Sequence, residues 1–202
     1  MYNTTQLMKE IRQLNNNINS NEESRTVEGY AVVFDSWSEN LGFYEKIHRG
    51  AITEETINNS DIFCKFNHSD DKILARSKYG TGSLLLEVDE VGVRYLFEAP
   101  HTQLGDELLE HLRRGDITSS SFAFTVSQEE GSERWYKENG ILYREIYKID
   151  RLYDVSPVWS PAYEATTCSA RSQEQVYYNS IIDKSNEIDE KMNQLFTEIE
   201  LM

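Results

Sequence analysis

The chain has 202 residues, 39% of them hydrophobic, and a formal net charge of −15 at pH 7. The length fits one domain of ordinary size with arms. The charge disfavours DNA, RNA or an anionic membrane as main partner, because phosphate binding draws on Lys and Arg, and the adjacent basic pairs are limited to His48-Arg49 and Arg113-Arg114.

MYNTTQLMKE shows no basic-then-apolar leader pattern, and no apolar run approaches the ~20 residues of a membrane span. The two cysteines, Cys64 and Cys168, are therefore expected as reduced thiols in the cytosol. Over residues 1–24, Leu7, Ile11, Leu14 and Ile18 recur on one helical face. The expectation is a polar arm carrying a short amphipathic helix outside the core. From Arg25 the pattern turns to short strands. TVEGYAVVFDSW reads as a strand ending in a turn after Asp35, and LGFYEKIHRGAI as a short strand running into a loop. AITEETI opens a brief helix capped by Thr53. DIFCKFNHSDD is a strand entering a polar turn. GSLLLEVDEVGVRYLFEAP is a hairpin with arms Leu84–Val88 and Val93–Glu98.

Residues 102–114, TQLGDELLEHLRR, are the clearest helix. Leu104, Leu108 and Leu112 share a face, acids come early and arginines late, and Gly115 is the stop. DITSSSFAFTV follows as a strand, then a hairpin across Glu138-Asn139-Gly140, then LYDVSPVWSPAY, a strand broken by Pro157 and Pro161. Residues 173–202 form an acidic tail with a weak helical repeat at Ile188, Met192, Leu195 and Ile199. The organisation expected is an N-terminal arm over 1–24, a domain over 25–172 and a helical tail over 173–202. The fold class expected is α+β and β-rich, a curved sheet or barrel of short strands with few helices.

Chemistry has few candidates. Cys64 and His68 resemble half a zinc site, but no second close-spaced Cys or His pair exists, which argues against a metal. Cys64 lies in a buried-looking strand, where thiols are usually inert. His48 and His101 sit at turns, and His111 on the Leu-rich helix. Serine chemistry needs a base, an orienting acceptor and oxyanion donors, groups that converge in space and not in sequence. Strand alternation divides the triple serine: Ser120 goes with Phe122 and Phe124 toward the core, while Ser119 and Ser121 face a surface of small residues.

From about Glu28 to Arg171 the chain resembles the prohead maturation protease family of tailed bacteriophages, distant relatives of the herpesvirus assemblins. The resemblance rests on EGYAVVFDSWSENLGFYEKIHRGAI, FNHSDD, LLLEVDEVGVRYLFEAP, ELLEHLRRGDITSSSFAF and LYDVSPVWSPAYEAT, in the family's order. It implies an assemblin-like core with His68 as base and Ser121 as nucleophile. The third, acidic residue matches at Asp154, where relatives often carry Glu, with Asp70 or Asp71 as alternatives. Relatives usually have Gly where this chain has Ser119 and Ala123, so Ser119 stays a second nucleophile candidate. The resemblance further implies a serine endopeptidase, without cofactor or metal, acting inside the assembling prohead in the host cytoplasm. Its substrates would be scaffold segments, the major capsid protein and its own ends, with self-association as a further expectation and neither nucleic acid nor membrane as partner. The alternative is an inactive assembly protein that keeps the fold.

Overall fold

A computed structural model describes residues 9–15, 19–20 and 25–159. The elements in chain order are β1 (Glu10–Asn15), β2 (Asn19–Ser20), β3 (Thr26–Val33), β4 (Tyr44–Ile47), α1 (Glu54–Asn58), β5 (Asp61–Lys65), β6 (Ile73–Lys78), β7 (Thr81–Gly82), β8 (Leu84–Val88), β9 (Gly92–Glu98), α2 (Gln103–Arg114), β10 (Ile117–Val126), β11 (Glu133–Glu138), β12 (Ile141–Ile146) and β13 (Ile149–Trp159). The β-rich α+β class is as expected. The strands form three sheets: β1-β10-β13-β5-β6-β7, β2-β3-β9-β8 and β11-β12-β4.

The local signals account for most element ends. Thr53 caps α1 in a reciprocal box with Thr56. Thr102 caps α2, and Gly115 closes it in the left-handed region at φ 74°, where glycine carries no Cβ penalty. The β8–β9 turn is fastened by Asp89, whose Oδ1 accepts from the backbone N–H of Val91 and Gly92 at 2.7 and 2.8 Å. The β11–β12 turn places Asn139 and Gly140 at φ 51° and 82°. Two positive φ values in a two-residue loop match the twist of a tight hairpin. The core gathers Val27, Val32, Ile62, Tyr95, Phe97, Leu108, Phe124 and Leu152, drawn from two of the sheets and from α2.

Two expectations are corrected. Residues 10–15 are not helical: they form edge strand β1, antiparallel to β10, with Glu10 opposite Phe124 and Asn15 opposite Ser119. Pro157 does not break its strand, for β13 runs from Ile149 to Trp159 and sets Pro157 opposite Ser120. Proline removes a ladder donor. It is tolerated here because β13 meets β5 in register at Asp154 opposite Phe63, and among the described residues that edge carries no ladder pair at Pro157. Pro161, Cys168 and the 173–202 tail lie outside the described residues.

Candidate active site

The triple serine lies on β10, between β1 and β13. Phe122 and Phe124 point to the core and stack at 5.2 Å. Ser120 joins them, its hydroxyl 2.8 Å from the buried Tyr95 hydroxyl. Ser121 points to the other face, as alternation predicts. That face is not open, however. Ser119 and Ser121 are both buried, Ser121 with 2% exposure. The Ser121 hydroxyl donates to the backbone carbonyl of Arg12 on β1 at 2.6 Å. The small-residue surface expected from the sequence is thus closed at Ser121 by the N-terminal strand.

His68 follows β5 in a 3-10 turn, Phe66–His68. Asn67 and His68 both adopt left-handed backbone, at φ 51° and 60°. Each costs of order 1 kcal/mol or more for a residue with a Cβ. The turn is held by backbone bonds from Phe66 N–H to Lys72 carbonyl at 2.9 Å and from Ser69 N–H to Phe66 carbonyl at 3.1 Å. Phe66 anchors it in the core, 5.1 Å from the Trp159 ring. Strain of this kind persists only where the surrounding structure fixes it.

Asp154 comes from β13. A bulge slips the β10–β13 register, so that Ala123 faces Asp154 but Phe124 faces Leu152. Such irregularities re-aim side chains, and Asp154 and Ser156 share the Ser121 face, with Ser156 directly opposite Ser121. Asp154 Oδ1 lies 3.2 Å from His68 Nδ1. This is ion-pair range, though out of line for a straight hydrogen bond, and among the described residues Nδ1 and Nε2 of the ring have no hydrogen-bond partner. Burial pushes the Asp154 carboxyl up. The His68 ring, the Ser156 hydroxyl and the Lys65 ammonium more than offset that, so the group lies below its ordinary value. Lys65 Nζ stands 3.4 Å from Asp154 Oδ2 and 2.6 Å from Asp70 Oδ1. The Ser156 hydroxyl donates to Asp154 Oδ1 and accepts from the Lys65 backbone N–H at 3.2 Å.

The structure therefore brings His68 and Asp154 together and sets Ser121 on the same face, its hydroxyl engaged with β1 and not with the His68 ring. Asp70 is engaged with Lys65, and Asp71 with the Ser69 hydroxyl at 2.6 Å. Neither pairs with His68. Cys64 points into the core, where burial raises its thiol well above the usual range. It stays protonated and unreactive. Of the other histidines, His48 stacks on Tyr147 at 4.5 Å, while His111, 3.1 Å from Asp116, sets its ring 5.2 Å from Trp159 and 6.0 Å from Phe66, beside the anchor of the His68 turn. Sequence reasoning missed Lys65 and Ser156. The two-residue spacing of Asp154 and Ser156 on a strand was the available signal for the second.

A family model described as caudovirus prohead serine protease matches residues 11–179. No curated protein matches the chain. Among solved structures, that of the capsid assembly protease gp21 of bacteriophage T4 is similar at a TM-score of 0.44 and 14% identity, covering 77% of this chain and 98% of that one. That likeness is too loose to carry an argument about this site.

Proposed function

The chain belongs to the caudovirus prohead serine protease family, and from that premise we propose that it is an endopeptidase of capsid maturation, with Ser121 as nucleophile, His68 as base and Asp154 as the group that orients it. The observation that carries this reading is the Asp154–His68 pair. Asp154 faces Nδ1 at 3.2 Å and leaves Nε2 buried and without a partner. An unpaired buried ring nitrogen is costly unless it has a proton to receive. In the proposed reaction the Ser121 hydroxyl, on the same face, would supply one once it leaves the Arg12 carbonyl.

In the reaction, His68 Nε2 takes the Ser121 proton as Oγ attacks the peptide carbonyl carbon. The tetrahedral intermediate collapses, the leaving amine takes that proton from His68, and an acyl-enzyme remains on Ser121. Water, deprotonated by His68, hydrolyses the ester and restores the serine. Asp154 holds the ring with Nε2 toward the serine and stabilises the imidazolium. Scaffold segments and capsid precursor are the substrates, cut inside the assembling prohead, and the chain's own ends are further targets. No cofactor enters.

The test is cleavage of capsid precursor in assembled proheads. Ser121→Ala and His68→Ala should each lower the rate by about 10³-fold or more, and Ser119→Ala should retain it within about ten-fold. Loss with Ser119→Ala and survival with Ser121→Ala would move the nucleophile to Ser119. The second reading, an assembly protein without activity, is favoured by the engagement of Ser121 with Arg12. Absence of cleavage by the intact chain in proheads would support it.

A further inference from the structure

The strand that closes Ser121 is fastened in an unusual way. Two of its side chains toward the core face, Glu10 and Arg12, are charged. Arg12 forks onto Glu45 of β4, Nε to Oε1 at 2.6 Å and Nη2 to Oε2 at 2.9 Å. Glu10 accepts from Arg12 Nη2 at 2.7 Å and from both terminal nitrogens of Arg144 on β12, Nη2 at 2.7 Å. Arg144 also reaches Glu45 at 2.9 Å and Glu133 of β11 at 2.7 Å. Arg144 and Glu45 are 4% and 3% exposed. Meanwhile Ile11, on the Ser121 face, is 45% exposed.

Buried ion pairs are weak net glue, because desolvation consumes most of their attraction. They are strong selectors, because any strand that fails to pair them leaves a buried charge alone. Over positions 10–12 the strand buries Arg12, half-buries Glu10 and exposes Ile11. It also pairs with β10 as an added peptide pairs with a sheet edge, antiparallel and in unbroken register from Glu10 to Asn15. Its Arg12 carbonyl takes the Ser121 proton donor. While it stays, that hydroxyl is buried and engaged by β1.

Building on the reading of Ser121 as nucleophile, we propose that β1 holds the place of the substrate strand, and that Glu45 and Arg144 are specificity residues reading an arginine and a glutamate two positions apart in the scaffold strand that replaces it. The substrate class is an extended peptide with the pattern Glu-x-Arg, laid antiparallel on β10. Glu of the peptide pairs with Arg144, and Arg of the peptide forks onto Glu45.

The experiment uses the full chain and a fluorophosphonate probe, with labelling of Ser121 read by peptide mass. Glu10→Gln with Arg12→Gln loosens β1, and labelling should rise about ten-fold, the factor that about 1.4 kcal/mol confers. Adding His68→Ala to that variant should abolish labelling, which separates an activated serine from an unfolded one. The peptide Glu-Ile-Arg-Gln-Leu-Asn should protect Ser121 in the loosened variant, and Arg-Ile-Glu-Gln-Leu-Asn should not. Should thermal melting show the double variant unfolded, Arg12→Lys serves in its place, because lysine keeps the charge but loses the fork. Equal labelling of the wild type and the loosened chain, or equal protection by both peptides, overturns the proposal and leaves Ser121 as nucleophile. Cleavage of precursor that survives Ser121→Ala overturns instead the reading on which it rests.

Discussion

Burial pushes the Asp154 carboxyl up, and His68, Ser156 and Lys65 together hold it below its ordinary value. Because its folded value lies below the ordinary 3.8, its contribution to stability is complete above that pH and disappears as pH falls below it. Asp154→Asn should therefore lose that contribution near neutrality, and should also lower precursor cleavage by about 10²–10⁴-fold, since an amide does not hold the imidazolium as a carboxylate does. Cleavage kinetics beside a thermal melt checks both halves; a variant of near wild-type rate would remove Asp154 from the reaction. The separation of Ser120 from Ser119 and Ser121 was legible from strand alternation, because period two follows from backbone geometry alone. That Asp154 and not Asp70 stands by His68 was not derivable from spacing. The Phe66–His68 turn and the bulge in β13 decide it, and both are products of tertiary packing.

At the scale of elements, the helices and hairpins were legible because caps and turns are local: Thr53, Thr102, Gly115 and Asn139-Gly140 act within a few residues. β1 was not. Leu7, Ile11, Leu14 and Ile18 fit a helical face, and the charges that seat the strand belong to partners far along the chain, at Glu45, Glu133 and Arg144. Arg144→Ala should cost about 3–5 kcal/mol, because it leaves buried carboxylates uncompensated. Urea unfolding measures this, and a loss under 1 kcal/mol would show that the carboxylates find other partners. The pairing of β9 with β3 makes a sharper demand at Gly92, where a Cβ would fall 1.8 Å from the Val32 carbonyl oxygen. Gly92→Ala must push the strands apart and should lower stability by about 2 kcal/mol or more. An unchanged melting temperature would contradict this.

For the molecule as a whole, the acidic total sets how it meets low pH. The Glu145 carboxyl is held down to about 2 by Lys46 and the Tyr147 hydroxyl against an ordinary value of 4.5. A lowered value means that its stabilisation is whole above pH 4.5 and is lost as pH falls toward 2. Glu145→Gln should flatten the stability profile across that window by about 1–2 kcal/mol, less than the full shift because the pair touches solvent; a slope equal to wild type would overturn the assignment. The β-rich class was legible from short, turn-bounded apolar runs, whereas the grouping of strands into three sheets depends on pairings with no signal in a single sequence. One pairing has a mechanical meaning. β13 meets β5 in parallel at Asp154 opposite Phe63, while β10 with β13 and β5 with β6 are long antiparallel ladders. The proposed site straddles this parallel junction: Ser121 and Asp154 lie on the β10–β13 side, and His68 and Lys65 on the β5 side, with the Lys65 N–H bonded to the Ser156 hydroxyl across it. On the proposed mechanism, a slight shear at that junction would change the distance from imidazole to serine without opening a hairpin.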